Sequence, residues 1–191
     1  MAKPYLFTLH INLNPRFMKK ALLIVSILII LVFILHLFAP KAYQVERKVV
    51  VTSQIDTVFK SLCSLKEQQE WSPWAEMDPD MKVDYRGIDG EIGSVSYWIG
   101  NDEVGEGEQE IMKLSPNTDI ETELRFLKPF ESTSVGFFKL KEMENQTEVT
   151  WGFRGEHAFP TTIIMLFMDM EEQIAPSFEK GLSKFKAYIE K

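Results

Sequence analysis

Cysteine is almost missing from this 191-residue chain, Cys63 being the only one. A single thiol cannot close an internal disulfide and excludes a cysteine-based zinc site. Cys63 falls in an apolar helical pattern, where a thiol serves as a small buried hydrophobe. Histidine is nearly as scarce: His10, His36 and His157 are scattered and form no ligand cluster. No Gly-x-Ser-x-Gly elbow, His-Glu-x-x-His pair or phosphate loop occurs. Gly105-Glu-Gly107 is not a dinucleotide fingerprint, because its flanking glutamates would repel a pyrophosphate. Asp102, Glu103, Glu106, Glu108 and Glu110 crowd one stretch, but their offsets do not match an EF-hand loop. Asp78-Pro-Asp80 begins like such a loop and fails at Lys82. The expectation is no metal, no cofactor and a solvated acidic hairpin.

Acidic residues are absent from the first forty positions, which carry only Lys3, Arg16, Lys19 and Lys20 as charges. Against a total of -7, the rest of the chain therefore holds a net -11. Such a surface repels phosphate backbones, so nucleic acid is not expected as a partner.

The longest apolar run is Ala21 to Ala39, ALLIVSILIILVFILHLFA, interrupted only by Ser26 and His36. As a helix it spans roughly 28 Å, close to the hydrocarbon thickness of a bilayer. It is apolar on every face, unlike a surface-lying amphipathic helix. It is longer than a typical signal-peptide core, and Phe38-Ala39-Pro40 is a poor cleavage site. A single-pass transmembrane anchor is expected here, preceded by a short basic segment, residues 1–20. Met18-Lys19-Lys20 itself has the form of an n-region, so residues 1–17 read as an extension from an upstream start. Arg16, Lys19 and Lys20 oppose Lys41, Arg47 and Lys48 across the run. The positive-inside rule then favours a cytoplasmic N-terminus and an extracytoplasmic domain at the cell membrane.

Beyond the run the pattern changes. YQVERKVVVTS, from Tyr43, is strand-like. Ser53-Gln-Ile-Asp56 and Ser64-Leu-Lys-Glu67 each resemble a capping box, predicting two short helices. Ile55, Val58, Phe59 and Leu62 give the first a buried face, and the second is expected to run to about Glu70. Six alternating stretches follow: 82–87, 94–100, 106–114, 119–126, 132–141 and 147–155. In DIETELRF, Ile120, Thr122, Leu124 and Phe126 share one face, which puts Arg125 on the other. Residues 161–168 are apolar nearly all round. Phe178, Leu182, Phe185 and Ile189 then form a helical stripe, with Pro176 expected to begin or kink that helix. Gly181, beside the stripe, is tolerable if the helix must approach a sheet closely. The order predicts an α+β domain: a curved antiparallel sheet gripping a long C-terminal helix, with a space between them for a ligand.

The ordered set Trp71-Ser-Pro-Trp74, Gly93-Ser-Val-Ser-Tyr97-Trp98-Ile-Gly100-Asn101, Gly105-Glu-Gly107, Leu127-Lys-Pro-Phe130, Thr147-Glu-Val-Thr-Trp151 and Phe178-Glu-Lys-Gly-Leu182 resembles the SRPBCC superfamily. This superfamily is also called START-like or helix-grip. The nearest likeness is to its polyketide cyclase/dehydrase and lipid transport branch, over residues 43–191. The resemblance implies the fold and a cavity rather than a reaction. The leading expectation is a domain that binds a hydrophobic small molecule or lipid near a membrane. Trp98, Phe126, Phe138 and Trp151 are expected at the cavity, with Met165 and Met168 as a flexible wall. Trp71 and Trp74 are expected to pack the second short helix against the sheet edge at the cavity's end, with Glu76, Asp78 and Asp80 facing water. Two alternatives stand beside this reading. One is an enzyme of polyketide cyclase/dehydrase type, for which Tyr97, Glu110 and Arg125 are the acid–base candidates. The other is a non-catalytic interaction module.

Overall fold

The computed structural model describes residues 15–156 and 159–191. His10, His157 and most of the basic segment 1–20 lie outside them. The chain divides after Ala39 into two compact units. In the first, α1 (Pro15–Phe38) takes in the apolar run and starts six residues ahead of it. At 24 residues it is roughly 36 Å long and buries none of its side chains. By length and composition it is able to cross a membrane.

The second unit follows the order β1 (Ala42–Val51), α2 (Ile55–Cys63), α3 (Leu65–Trp71), α4 (Pro73–Met77), β2 (Lys82–Arg86), β3 (Val95–Ile99), β4 (Glu106–Ser115), β5 (Asp119–Lys128), β6 (Ser132–Met143), β7 (Gln146–Glu156), α5 (Thr161–Ile164) and α6 (Met170–Ile189). The strands form one antiparallel sheet in the order β1-β7-β6-β5-β4-β3-β2. Hairpin connections take β2 to β7 across it in sequence, and β1 joins the far side. This is the curved sheet with a C-terminal helix that the alternation predicts.

Two local features differ from expectation and a third resolves an open alternative. Ser53 does not cap α2; Gln54 holds the N-cap position without a side-chain bond. The Ser53 carbonyl instead accepts a hydrogen bond from Thr147 Oγ1 at 2.8 Å, tying the turn to β7. The connection after α3 is not all loop, because Pro73 opens the further short helix α4, where its missing N–H costs nothing. Of the two placements expected for Pro176, the second holds: it lies inside a longer helix, α6. Asp169 begins the helix upstream, its carboxylate accepting from the backbone N–H groups of Glu171 and Glu172 at 2.9 and 3.2 Å. The cap of α3 forms as predicted: Ser64 Oγ accepts from Glu67 N at 3.1 Å. Cys63 is buried, and burial pushes its thiol up to about 11.

The core is built where α6 crosses the sheet. Trp151 of β7 stacks on Phe138 of β6 at 5.5 Å between centroids, and meets Phe178 of α6 edge-on at 4.6 Å. Trp71 contacts Trp151, Phe138 and Phe185 edge-on. It therefore sits at the centre of the packing, 1% exposed, deeper than the sheet-edge position expected from sequence. Trp74 is half-buried against Trp151 and Phe178. Gly181 makes the crossing possible: a Cβ there would lie 2.5 Å from the Trp151 ring and 3.1 Å from Pro73.

Gly181→Ala should therefore destabilise the fold even though alanine favours a helix by about 1 kcal/mol. Overpacking costs typically about 1–3 kcal/mol, leaving a net loss of up to about 2 kcal/mol. Urea denaturation of the full chain in detergent micelles, followed by tryptophan fluorescence, checks this. An unchanged or raised midpoint contradicts the close-approach account.

Candidate ligand-binding site

The register sorts the concave face into transverse rows. The row through Trp151, Phe138 and Ile120 is sealed beneath the helices. Two rows closer to the β1 N-terminal end of the sheet are more open. In the first, Ser134 pairs with Leu124, Leu124 with Gln109, Gln109 with Ser96, and Ser96 with Tyr85. In the second, Ser132 pairs with Phe126, Phe126 with Gly107, Gly107 with Trp98, and Trp98 with Val83. One row is mostly polar and its neighbour mostly apolar. Leu124, Phe126, Trp98 and Gln109 are half-buried.

Trp98 and Phe126 meet edge-on at 6.1 Å. Their contact depends on Gly107 between them, where a Cβ would fall 2.6 Å from the Trp98 ring. Tyr43 reaches the polar row from β1. Its ring packs edge-on against Phe153 at 5.1 Å, and its hydroxyl lies 2.7 Å from Ser134 Oγ. That reach passes over Gly155, whose Cβ would lie 2.5 Å from the Tyr43 hydroxyl. At the other end of the row, Gln109 Nε2 donates to Gln68 Oε1 of α3 at 3.3 Å and to Thr122 Oγ1 at 3.4 Å.

Beside edge strand β1 runs a groove of about 530 Å³. Pro40, Tyr43 and Val45 line one wall; Met165, Phe167 and Met168 line the other. Arg47 lies further along β1, paired in register with Trp151 and so facing inward. Its Nε donates to Glu179 at 2.7 Å and its Nη1 to Glu171 at 3.1 Å, both on α6. These carboxylates hold the guanidinium charged more firmly than usual.

The eight residues singled out from sequence thus fall in three places. Phe138, Trp151 and Trp71 form the sealed core, with Trp74 at its margin. Trp98 and Phe126 come together on the open rows. Met165 and Met168 line the groove. The six cavity candidates do not surround one space. Sequence reasoning missed Tyr43, Gln109 and Ser134. Their only signal is that alternation puts them on the faces of Val45, Ile111 and Phe138.

The acid–base candidates point away from these rows. Arg125 on the convex face is bonded to Glu108 at 2.7 Å, to Glu110 at 2.6 Å and to Glu123. Hydrogen bonds donated to Glu110, Glu123 and Glu108 raise its pKa further above the ordinary range. Tyr97 donates to Glu106 on the same face, which raises the phenol's pKa. Among the described residues no group of three or more His, Cys, Asp or Glu is placed to hold a metal ion. Asp78 and Glu76 are not simply solvated. Asp78 Oδ2 accepts from Asn101 N at 2.6 Å, clasping the β3–β4 turn. Glu76 pairs with Lys184 at 2.7 Å and also with Lys180, tying α4 to α6.

No protein-family model matches the sequence, and no curated protein matches it. Solved structures do match. A protein from Chromobacterium violaceum has 11% identity and a TM-score of 0.55, over 80% of this chain and 99% of that one. Major latex-like protein 151 from Panax ginseng has 11% identity and a TM-score of 0.53, over 78% and 98%. The Aha1 dimer from Colwellia psychrerythraea has 16% identity and a TM-score of 0.50, over 78% and 96%. Such identities establish the fold. It is the helix-grip fold of the SRPBCC, or Bet v1-like, proteins.

The two lysines hold the Glu76 carboxyl at about 2, well under its ordinary 4.5. A depressed folded-state value stabilises the fold above the unfolded pKa and loses that contribution as the carboxyl protonates. The contribution is thus complete above about pH 4.5 and fades toward pH 2. Glu76→Gln should destabilise the full chain at neutral pH and converge on wild type at the acid end. Because the pair is exposed, added salt should shrink the difference. Parallel pH–stability curves at neutral pH and below would contradict this role.

Proposed function

We propose that this chain is a single-pass, membrane-tethered helix-grip domain that binds a hydrophobic small molecule or lipid. We place it in the polyketide cyclase/dehydrase and lipid transport branch, with residues 1–20 as a basic lead, 21–39 as the span and 43–191 as the domain. The domain is on the extracytoplasmic side of the cell membrane. The ligand lies on the two open rows, its apolar body against Trp98, Phe126 and Leu124. Its polar end meets Tyr43 and Gln109, the Tyr43 hydroxyl being held from behind by the buried Ser134. Met165 and Met168 give the adjacent groove an adaptable wall, as thioethers fit varied shapes. Phe138 and Trp151 form the floor behind this space, and Trp71 and Trp74 hold it in place.

The observation that carries the reading is the half-exposed Trp98–Phe126 pair on the concave face. Trp151, Phe153 and Phe138 on that face are packed beneath the helices, whereas these two rings pack on each other. Burying about 200 Å² of apolar surface against them contributes roughly 5 kcal/mol. The neighbouring hydroxyls and amide orient a ligand, in the manner of mostly apolar sites with few polar groups. A cyclase reading lacks this kind of support, since Tyr97, Glu110 and Arg125 bond one another's neighbours on the convex face.

Native mass spectrometry of the full chain, released from detergent micelles after purification from cells, tests the proposal. A retained lipid-sized adduct is expected. Trp98→Ala and Phe126→Ala should each weaken its retention by roughly ten- to a hundredfold, the loss of about 1.5–3 kcal/mol of ring burial. Absence of any adduct, together with unchanged tryptophan emission across a panel of fatty acids and phospholipids, would overturn it.

A further inference from the structure

The strand ends put several exposed apolar side chains at one end of the sheet. β1 starts there at Ala42, and β7 finishes there opposite it, Ala42 pairing with Glu156. β5 ends and β6 begins at the same end, Phe126 pairing with Ser132. The end of β5 and the β5–β6 connection, which projects from this end, therefore carry Leu127 and Phe130, 39% and 82% exposed. The β7–α6 connection departs from it too, and carries Ile164, Phe167 and Met168, 52%, 80% and 40% exposed. Soluble surfaces seldom spend two phenylalanines this way without a purpose. The opposite end carries Pro116, Asn117 and Asn145 in the β4–β5 and β6–β7 turns and has exposed Ile88 and Ile92 in the β2–β3 connection, but no exposed aromatic ring among the described residues of these connections.

The apolar helix feeds directly into this end. α1 stops at Phe38, and β1 begins four residues later at Ala42. Four extended residues reach at most about 14 Å. Pro40, within that link, lines the groove together with Phe167 and Met168. The link thus keeps the surface of a bilayer crossed by α1 within about 14 Å of the start of β1, at the end of the sheet that carries these side chains.

We infer that the end of the sheet bearing Phe130 and Phe167 docks on the bilayer surface, so that the open concave rows and the β1 groove face the membrane. The inference rests on the reading of α1 as a membrane span and stands apart from ligand binding. The occupant is a zwitterionic lipid surface. At this end exposed Glu131, Glu156 and Asp169 outnumber exposed Lys41 and Lys128, of which Lys128 pairs with Glu106, and the net charge of -11 beyond residue 40 disfavours an anionic leaflet. Phenylalanine side chains at such a surface settle at the headgroup–acyl boundary, about 5–10 Å deep. A hydrophobic ligand then passes between lipid and protein without crossing water.

The test uses the full chain reconstituted in phosphatidylcholine vesicles. Cys63 is buried, so a cysteine introduced at an exposed position takes an environment-sensitive fluorophore selectively. Phe130→Cys and Phe167→Cys place the label at the proposed contact; Asn145→Cys places it at the opposite end. With acyl-brominated phosphatidylcholine, labels at 130 and 167 should be quenched by roughly twofold or more, and the label at 145 should be unaffected. Replacing part of the lipid with phosphatidylglycerol should reduce the quenching, and added salt should restore it. Equal emission at all three positions overturns the docking. So does a label at 167 that is shielded without being quenched and that crosslinks to a second copy, since the patch then pairs with protein. Flotation of the vesicles is scored separately. A chain that floats but is not quenched loses the docking and keeps the tether; a chain that does not float loses both. Retention of a ligand in mass spectrometry is independent of either result.

Discussion

The contact between Gly181 and the ring of Trp151 governs how this domain is assembled. With no side chain at 181, α6 settles onto the sheet closely enough for Phe178 and Phe185 to reach Trp151 and Trp71. That closeness lets five aromatic residues from β6, β7, α3 and α6 fill the centre with edge-on and stacked contacts, which add to the apolar area they bury. The same closeness has a cost in space. Where the helix sits tight, nothing else fits, so any ligand is confined to the rows beyond its reach. The polar reinforcements, Arg47 to Glu171 and Glu179, and Glu76 to Lys180 and Lys184, are grouped on either side of the same helix. They are exposed and screened, and serve to fix the position of α6 more than to stabilise it.

Much of the fold was legible because its patterns are regular. Strict alternation in DIETELRF placed Ile120, Thr122, Leu124 and Phe126 inward and Arg125 outward, and the structure agrees at each. The stripe from Phe178 to Ile189 marked α6, and Ser64-Leu-Lys-Glu67 marked the start of α3. Boundaries were harder where two local signals competed. Asp169 outweighed Pro176 as the start of α6, because a cap satisfies two backbone donors while a proline within the second turn removes one bond. Pro73 read as a loop residue, yet one turn of helix follows it.

The candidate site was legible only in part, since sequence reveals which face a residue takes and not how far a helix covers that face. Phe138 and Trp98 share the concave face, but α6 and the short helices seal one and leave the other half-open. Nothing in the spacing of strand residues says where that cover stops. Likewise the hydrogen bond from Tyr43 to Ser134 joins residues 91 positions apart, and needed the glycine at 155 to pass over. Serines in a strand read as filler until the partner is seen.

The sheet is open at both sides, with β1 and β2 as its borders. An unpaired border invites the same border of a neighbouring molecule to add on. Here β2 is only five residues long and turns Lys82, Asp84 and Arg86 outward, while β1 carries the inward charge of Arg47 and an exposed Lys48. Chains held on a membrane meet far more often than chains free in three dimensions, because confinement raises their effective concentration. The short β2 and the charges on β1 therefore discourage strand-by-strand pairing between copies, a safeguard that would matter most on the proposed membrane tether.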